Sequence, residues 1–197
     1  NVQATVVIKS TVLPAYFTRG ATWLHWLSNN LPKGLVVCPE FLNARTAIDD
    51  FVNASVVVSG STQLEAAHRV NTLHKQSLIG KTYFELPSPE AACFVKYGIN
   101  NFFAVKNAYF TALKQMVSGY TDINEWGGIV QAITADPRIT DTHTHVPGHD
   151  GALGFGGACL PKDLESMINM SMLDSNTIIQ LLQAAQEINL SFGRGRL

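Results

Sequence analysis

The chain has 197 residues, 46% of them hydrophobic and only 15% charged, with a net charge of −1. That is enough apolar material for one sizeable core or two small ones without a disulfide framework. The evenly scattered charge offers no footprint for nucleic acid or an anionic membrane, and its scarcity leads one to expect faces covered by partner chains.

No apolar run approaches the roughly 18 residues of a membrane span, and the opening NVQATVVIKS lacks the layout of a signal peptide. Cys38, Cys93 and Cys159 are an odd set without CxxC spacing, which fits a reducing compartment, so a soluble cytoplasmic protein is expected. The sequence begins at Asn1 inside what reads as a strand, and is expected to be a piece of something longer.

In chain order, residues 1–87 alternate β-branched runs with helical stretches: TVVIKSTV, a helix around Thr18 to Ser28, GLVVCPEF, SVVVSG, a helix around Thr62 to His74, and KTYFEL. This is the rhythm of a parallel α/β sheet. Ser61 or Thr62 is placed to cap the second helix, with Glu65 as capping-box partner of Thr62. From Ser88 the pattern becomes helical, and apolar residues from Phe94 to Met116 predict one long helix to about Ser118, apolar over more than one stripe. Shorter helices are predicted at Ile123 to Thr134, Lys162 to Met172 and Asp174 to Leu190. A His-, Gly-, Thr- and Pro-rich loop runs from Asp136 to Gly157. The expected organisation is thus α/β followed by all-α, with the boundary between residues 87 and 88.

Chemistry concentrates in GFGGACLPKD. Gly154, Gly156 and Gly157 allow close backbone approach, Pro161 suits a first helical turn, and Cys159 falls at a helix N-terminus. The dipole and free N–H groups there favour a thiolate nucleophile, although a lone cysteine is more often a small buried hydrophobe. Lys96 and Asn100 share one face of the long helix, where they can bind an oxyanion or form a solvated face. Thr11 and Glu40 follow strand carboxyl ends, where open α/β sheets bind ligands; the alternatives are a helix cap and an ordinary loop acid. His143, His145 and His149 with Asp150 have the residue types of a metal site, but with no second ligand cluster no metal is expected.

Taken in order, IKSTV, CPEFLNARTAIDDF, VKYGINNFF, DPRIT and GFGGACLPKD resemble the successive signatures of the UDP-glucose/GDP-mannose dehydrogenase family, from Thr5 to about Leu190. The resemblance implies the C-terminal part of a Rossmann-like sheet followed by a helical dimerisation domain. It also implies NAD-dependent, two-step oxidation of a nucleotide sugar's 6-hydroxyl to a carboxylate through a cysteine thioester. By resemblance Cys159 is the nucleophile, Lys96 and Asn100 hold the reacting oxygen, Asp163 and Thr11 position water, and Glu40 is the general acid/base. Phe41, Leu42 and Asn43, and the loop through Gly154 and Phe155, match the segments along the nucleotide sugar, with UDP-glucose the expected one. Arg138 matches an arginine that reaches the neighbouring subunit, and Ser10, Thr11, Val12 and Lys162 match cofactor contacts. The helix from Ser88 matches the dimerisation helix.

Some positions depart from the family pattern. Ala44 replaces a second glutamate, LPAYFT replaces a glycine-containing turn, and no strand followed by GxGxxG occurs in the 197 residues. The expectation is therefore a fragment or descendant of a nucleotide-sugar dehydrogenase, inactive with NAD as this isolated chain. The alternative is a truncated copy retained as a structural or assembly protein.

Overall fold

A computed structural model describes residues 4–18, 23–42, 46–170 and 177–194. The chain divides into two compact units, Asn1–Lys96 and Tyr97–Leu197.

The first unit is built on a four-stranded sheet in the order β1 (Val6–Ile8), β2 (Leu35–Val37), β3 (Val56–Gly60), β4 (Thr82–Leu86). Strand β2 is buried along its whole length, as a central strand covered on both faces must be. Its alternate side chains go to opposite faces. Leu35 and Val37 join Val58, Phe17, Leu24 and Leu31 on one, while Val36 and Cys38 join Val57, Ala66, Val70 and Leu78 on the other.

The first face is covered by α1 (Trp23–Asn30) and by Ala92 and Cys93 from the start of α4 (Pro89–Val117). The second is covered by α3 (Leu64–Ser77), while α2 (Ala47–Asn53), which periodicity did not reveal, contributes Phe51. Gly60 lets α4 approach the sheet, since a Cβ there would lie 2.7 Å from the Ala92 Cβ.

The α/β class holds, but the sheet is mixed where the strand–helix rhythm predicts a parallel one. Pairs β1/β2 and β3/β4 are parallel, whereas β2 meets β3 antiparallel through the single rung Val37–Gly60. An antiparallel neighbour needs no right-handed crossover, and the short α2 connection makes none.

The predicted capping box does not form. The Thr62 hydroxyl donates to the Ser28 carbonyl (2.7 Å) and Ser61 to the Leu35 carbonyl (2.7 Å), Gln63 takes the N-cap, and Glu65 lies 3.7 Å from Arg69. The buried Ser61 hydroxyl and the neighbouring Thr62 hydroxyl are spent on carbonyls that the fold brings to them and not on a helix start that reaches water.

The second unit contains the rest of α4, then α5 (Trp126–Thr134), α6 (Leu160–Asn169) and α7 (Thr177–Ser191). The expected helix residues 19–22, 171, 172 and 174–176 lie outside the described set. One cluster packs Ala104 and Ala108 of α4 against Phe155, Leu164, Leu182 and Ala185, and another packs Phe110 against Trp126 and Val146. Small residues on α4 let α6 and α7 come close, and the larger apolar side chains of those helices fill the space. Among the described residues no helix is long and apolar enough to cross a membrane.

Candidate active site

In the first unit the parallel ladder of β1 and β2 ends at the pair Ile8–Val37, which brings Lys9 beside Cys38 and Glu40. The Lys9 ammonium lies 2.6 Å from the Glu40 carboxylate and 3.3 Å from the Cys38 sulfur, with the Phe51 ring at 6.0 Å. Lys9, Glu40, Phe41, Leu42 and Phe51 line a cavity of about 20 Å³, room for a single water. Lys96 is only 8% exposed and lies over the Phe41 ring at 5.4 Å, a cation–π contact in apolar surroundings. Thr11 and Val12 are half-buried, with Val12 against the core, and Ser10 is exposed. Asn43 lies outside the described residues.

In the second unit Cys159 is the N-cap of α6, exposed and free, and its backbone carbonyl accepts from the Asp163 N–H at 2.9 Å. Pro161 occupies the first turn and contributes no N–H, and the Cys159 side chain makes no capping hydrogen bond. Asp163 is 1% exposed. Its carboxylate accepts from the Asn100 amide at 2.5 Å and pairs with Lys162. Two motifs 63 positions apart therefore meet through one buried hydrogen bond.

The loop before Cys159 is held from α7. Asn189 accepts from the Phe155 N–H (2.8 Å) and donates to the Phe155 carbonyl (3.0 Å), while Arg194 donates to the Leu153 carbonyl (3.1 Å) and to Asp150 (2.6 Å). The Arg194 guanidinium holds the Asp150 carboxyl down to about 2. Gly154, at φ 82°, and Gly156 back directly onto Asn189 and Arg194, with no space for even a methyl group. The protein itself therefore fills the space that these two glycines leave, so they form no cradle for a dinucleotide pyrophosphate, while Gly157 faces open space. The residues present do not fit that part of NAD.

Arg138 is exposed and closes on its own Asp136 at 2.5 Å, which holds the Asp136 carboxyl below its usual range. His143 sits at φ 65°, its ring stacked on Phe103 at 4.0 Å, and burial followed by the Lys106 charge lowers its proton affinity. Among the described residues no group of three or more His, Cys, Asp or Glu side chains converges as a metal site would. A wider cavity of about 370 Å³ lies between α5 and the long loop, but none of the predicted site residues lines it.

Sequence reasoning missed Lys9, Asn189 and Arg194. The first stands in the quoted IKSTV, and its role needs the strand register. Asn189 does leave a sequence trace, being a polar residue on the α7 face that carries Leu182 and Ala185.

Residues 90–191 match the family model for the central domain of the UDP-glucose/GDP-mannose dehydrogenases. The chain belongs to that family. It is 31% identical over 191 residues to the Bacillus subtilis protein YtcA, covering 94% of this chain and 41% of that one. Against the UDP-glucose 6-dehydrogenase of Rickettsia bellii it is 26% identical over 205 residues, covering 95% and 42%. The structure of a UDP-glucose dehydrogenase from the archaeon Pyrobaculum islandicum superposes with a TM-score of 0.73 at 25% identity, covering 95% of this chain and 41% of that one. The chain thus spans less than half the length of these dehydrogenase relatives.

Proposed function

We propose that these residues form the sugar-handling half of a nucleotide-sugar 6-dehydrogenase. In this reading Cys159 is the nucleophile toward the sugar C6 aldehyde, with UDP-glucose as the parent substrate. The observation that carries the reading is the buried Asn100–Asp163 hydrogen bond beside the exposed, helix-capping Cys159.

The Cys159 thiolate adds to the C6 carbonyl carbon, and the resulting oxyanion is held by the Lys96 ammonium and the Asn100 amide. Asp163 and Thr11 orient the water that later cleaves the thioester, and Glu40 exchanges protons with it as general acid/base. Phe41, Leu42, Asn43, Gly154 and Phe155 lie along the nucleotide sugar, and Arg138 serves a neighbouring subunit. Both oxidations belong to NAD, for which Ser10, Thr11, Val12 and Lys162 are the contacts this chain offers. With no pyrophosphate cradle among the described residues, the 197 residues by themselves do not turn over, because hydride transfer requires the nicotinamide to be held in place.

A homodimer through α4 follows from the same reading. Phe102, Tyr109 and Met116 recur at seven-residue spacing on that helix and are 63%, 60% and 62% exposed, a row that a second copy would cover. These exposed residues also favour the second reading, a non-catalytic assembly role, in which other chains cover them.

The test is alkylation of the chain by iodoacetamide with and without millimolar UDP-glucose, read cysteine by cysteine by mass spectrometry, alongside NADH absorbance and light scattering. Selective protection of Cys159 in a dimer, with no NADH formed, is the expected result. Absent protection removes the sugar-site reading, and NAD-dependent turnover removes the claim of inactivity.

A further inference from the structure

We propose that Asn189, assisted by Arg194, is a positioning residue that sets the shape of the loop presenting Cys159 and its sugar. The inference rests on the sugar-site reading of that loop and adds to it a residue on a different helix. Asn189 is 2% exposed, and its planar amide offers one acceptor and one donor. Both are used on the same backbone unit, the N–H and carbonyl of Phe155, as a neighbouring β-strand would use them.

The Phe155 side chain is buried among Ala104, Ala108 and Leu164, so this residue is anchored through both its ring and its backbone. On either side the chain has no freedom left. Gly154 stands at φ 82° against the Asn189 oxygen, and Gly156 stands against the Arg194 guanidinium. The Arg194 N–H in turn returns to the Asn189 carbonyl at 3.2 Å, so the end of α7 closes on itself around the loop.

No side chain shorter than Asn189 would reach, and no apolar one would satisfy two buried backbone groups. Gly154 and Gly156, two of the three glycines that suggest a ligand cradle in the sequence, are thus required by the clamp, and the loop surface that remains for a ligand is the one facing away from it.

Asn189→Asp separates the roles. It keeps the shape and the acceptor for the Phe155 N–H, but places an anionic oxygen against the Phe155 carbonyl. The expected result is amide exchange across residues 154–157 at least about tenfold faster, the factor a lost buried hydrogen bond carries, with exchange in α4 and α6 unchanged. The alkylation rate of Cys159 without ligand stays within about twofold, since the thiol is already exposed, while UDP-glucose protection of it is lost.

Arg194→Gln, which leaves the Asn189 bonds in place, accelerates exchange at Gly156 and Gly157 only, and decides the matter if the aspartate variant fails to fold. Unchanged loop exchange, acceleration spread evenly through the unit, or sugar protection retained despite faster loop exchange each overturns the proposal. If the unsubstituted chain itself shows no UDP-glucose protection, the sugar-site reading fails and the clamp stands or falls on loop exchange alone.

Discussion

Glu40 and Asp163 each sit beside a lysine, one where two parallel strands end and the other in the first turn of a helix. The Lys9–Glu40 pair is 36% and 30% exposed, so water screens it and either side chain can leave it with little structural consequence. Asp163 is 1% exposed and spends its acceptors on Asn100 and Lys162, so its carboxylate is tied into the packing of α4 against α6. The same pair of residue types therefore gives a pair screened by water at the strand ends and a carboxylate held fast at the helix start.

The cysteines repeat the contrast. Cys159 is exposed at a helix start, while burial, reinforced by Glu90, pushes the Cys93 thiol up to about 12.

The largest test of this contrast is thiol selectivity. Near neutral pH Cys159 reacts with iodoacetamide on the order of a thousandfold faster than Cys93 in the native chain, and the difference collapses in denaturant. Comparable native rates would break the comparison.

Next in size is Asn100→Leu, which strips a buried carboxylate of its amide donor. It lowers unfolding free energy by about 3 kcal/mol in urea titrations. Gly154→Ala follows, since an added Cβ meets Asn189 from a left-handed backbone, and costs about 2 kcal/mol by the same measurement.

His143 supplies a pH-dependent test. Its folded-state affinity for a proton lies below the ordinary 6.5, so on acidification the unfolded chain binds the proton first. Stability then rises with pH up to about 6.5 and levels off above it. His143→Asn, which tolerates the positive φ, reduces the difference in denaturation midpoint between about pH 5.5 and about pH 7.5. The smallest effect is Lys9→Met, under about 1 kcal/mol because the pair is wet; a loss as large as that of Asn100→Leu would show that the strand-end pair is not screened by water.

Much of the framework is legible in the sequence because it rests on local periodicity. β-Branched runs marked all four strands, and Phe94 to Met116 marked the long helix to within about one residue of its end. Helix α2 escaped because Ala47–Asn53 contains no residue buried enough to impose a pattern. The Thr62 capping box failed because a carbonyl on α1, 34 positions away, outcompeted the local partner.

The site divides along the same line. Cys159 at a helix start and Lys96 with Asn100 on one helix are short-range statements that a single stretch of sequence contains. The partnership of Asn100 with Asp163, of Lys9 with Glu40, and of Asn189 with Phe155 depends on elements brought together from 31 positions apart (Lys9 to Glu40) to 63.

What the sequence by itself determined was the order of the four strands, the long helix and the family, because propensity, spacing and motif are properties of neighbours along the chain. Only the tertiary structure decided which carboxylate is held fast and which is screened by water, and that Gly154 and Gly156 stand against Asn189 and Arg194. Those outcomes depend on burial and on which hydrogen-bond partner arrives first, and both are set by the fold as a whole.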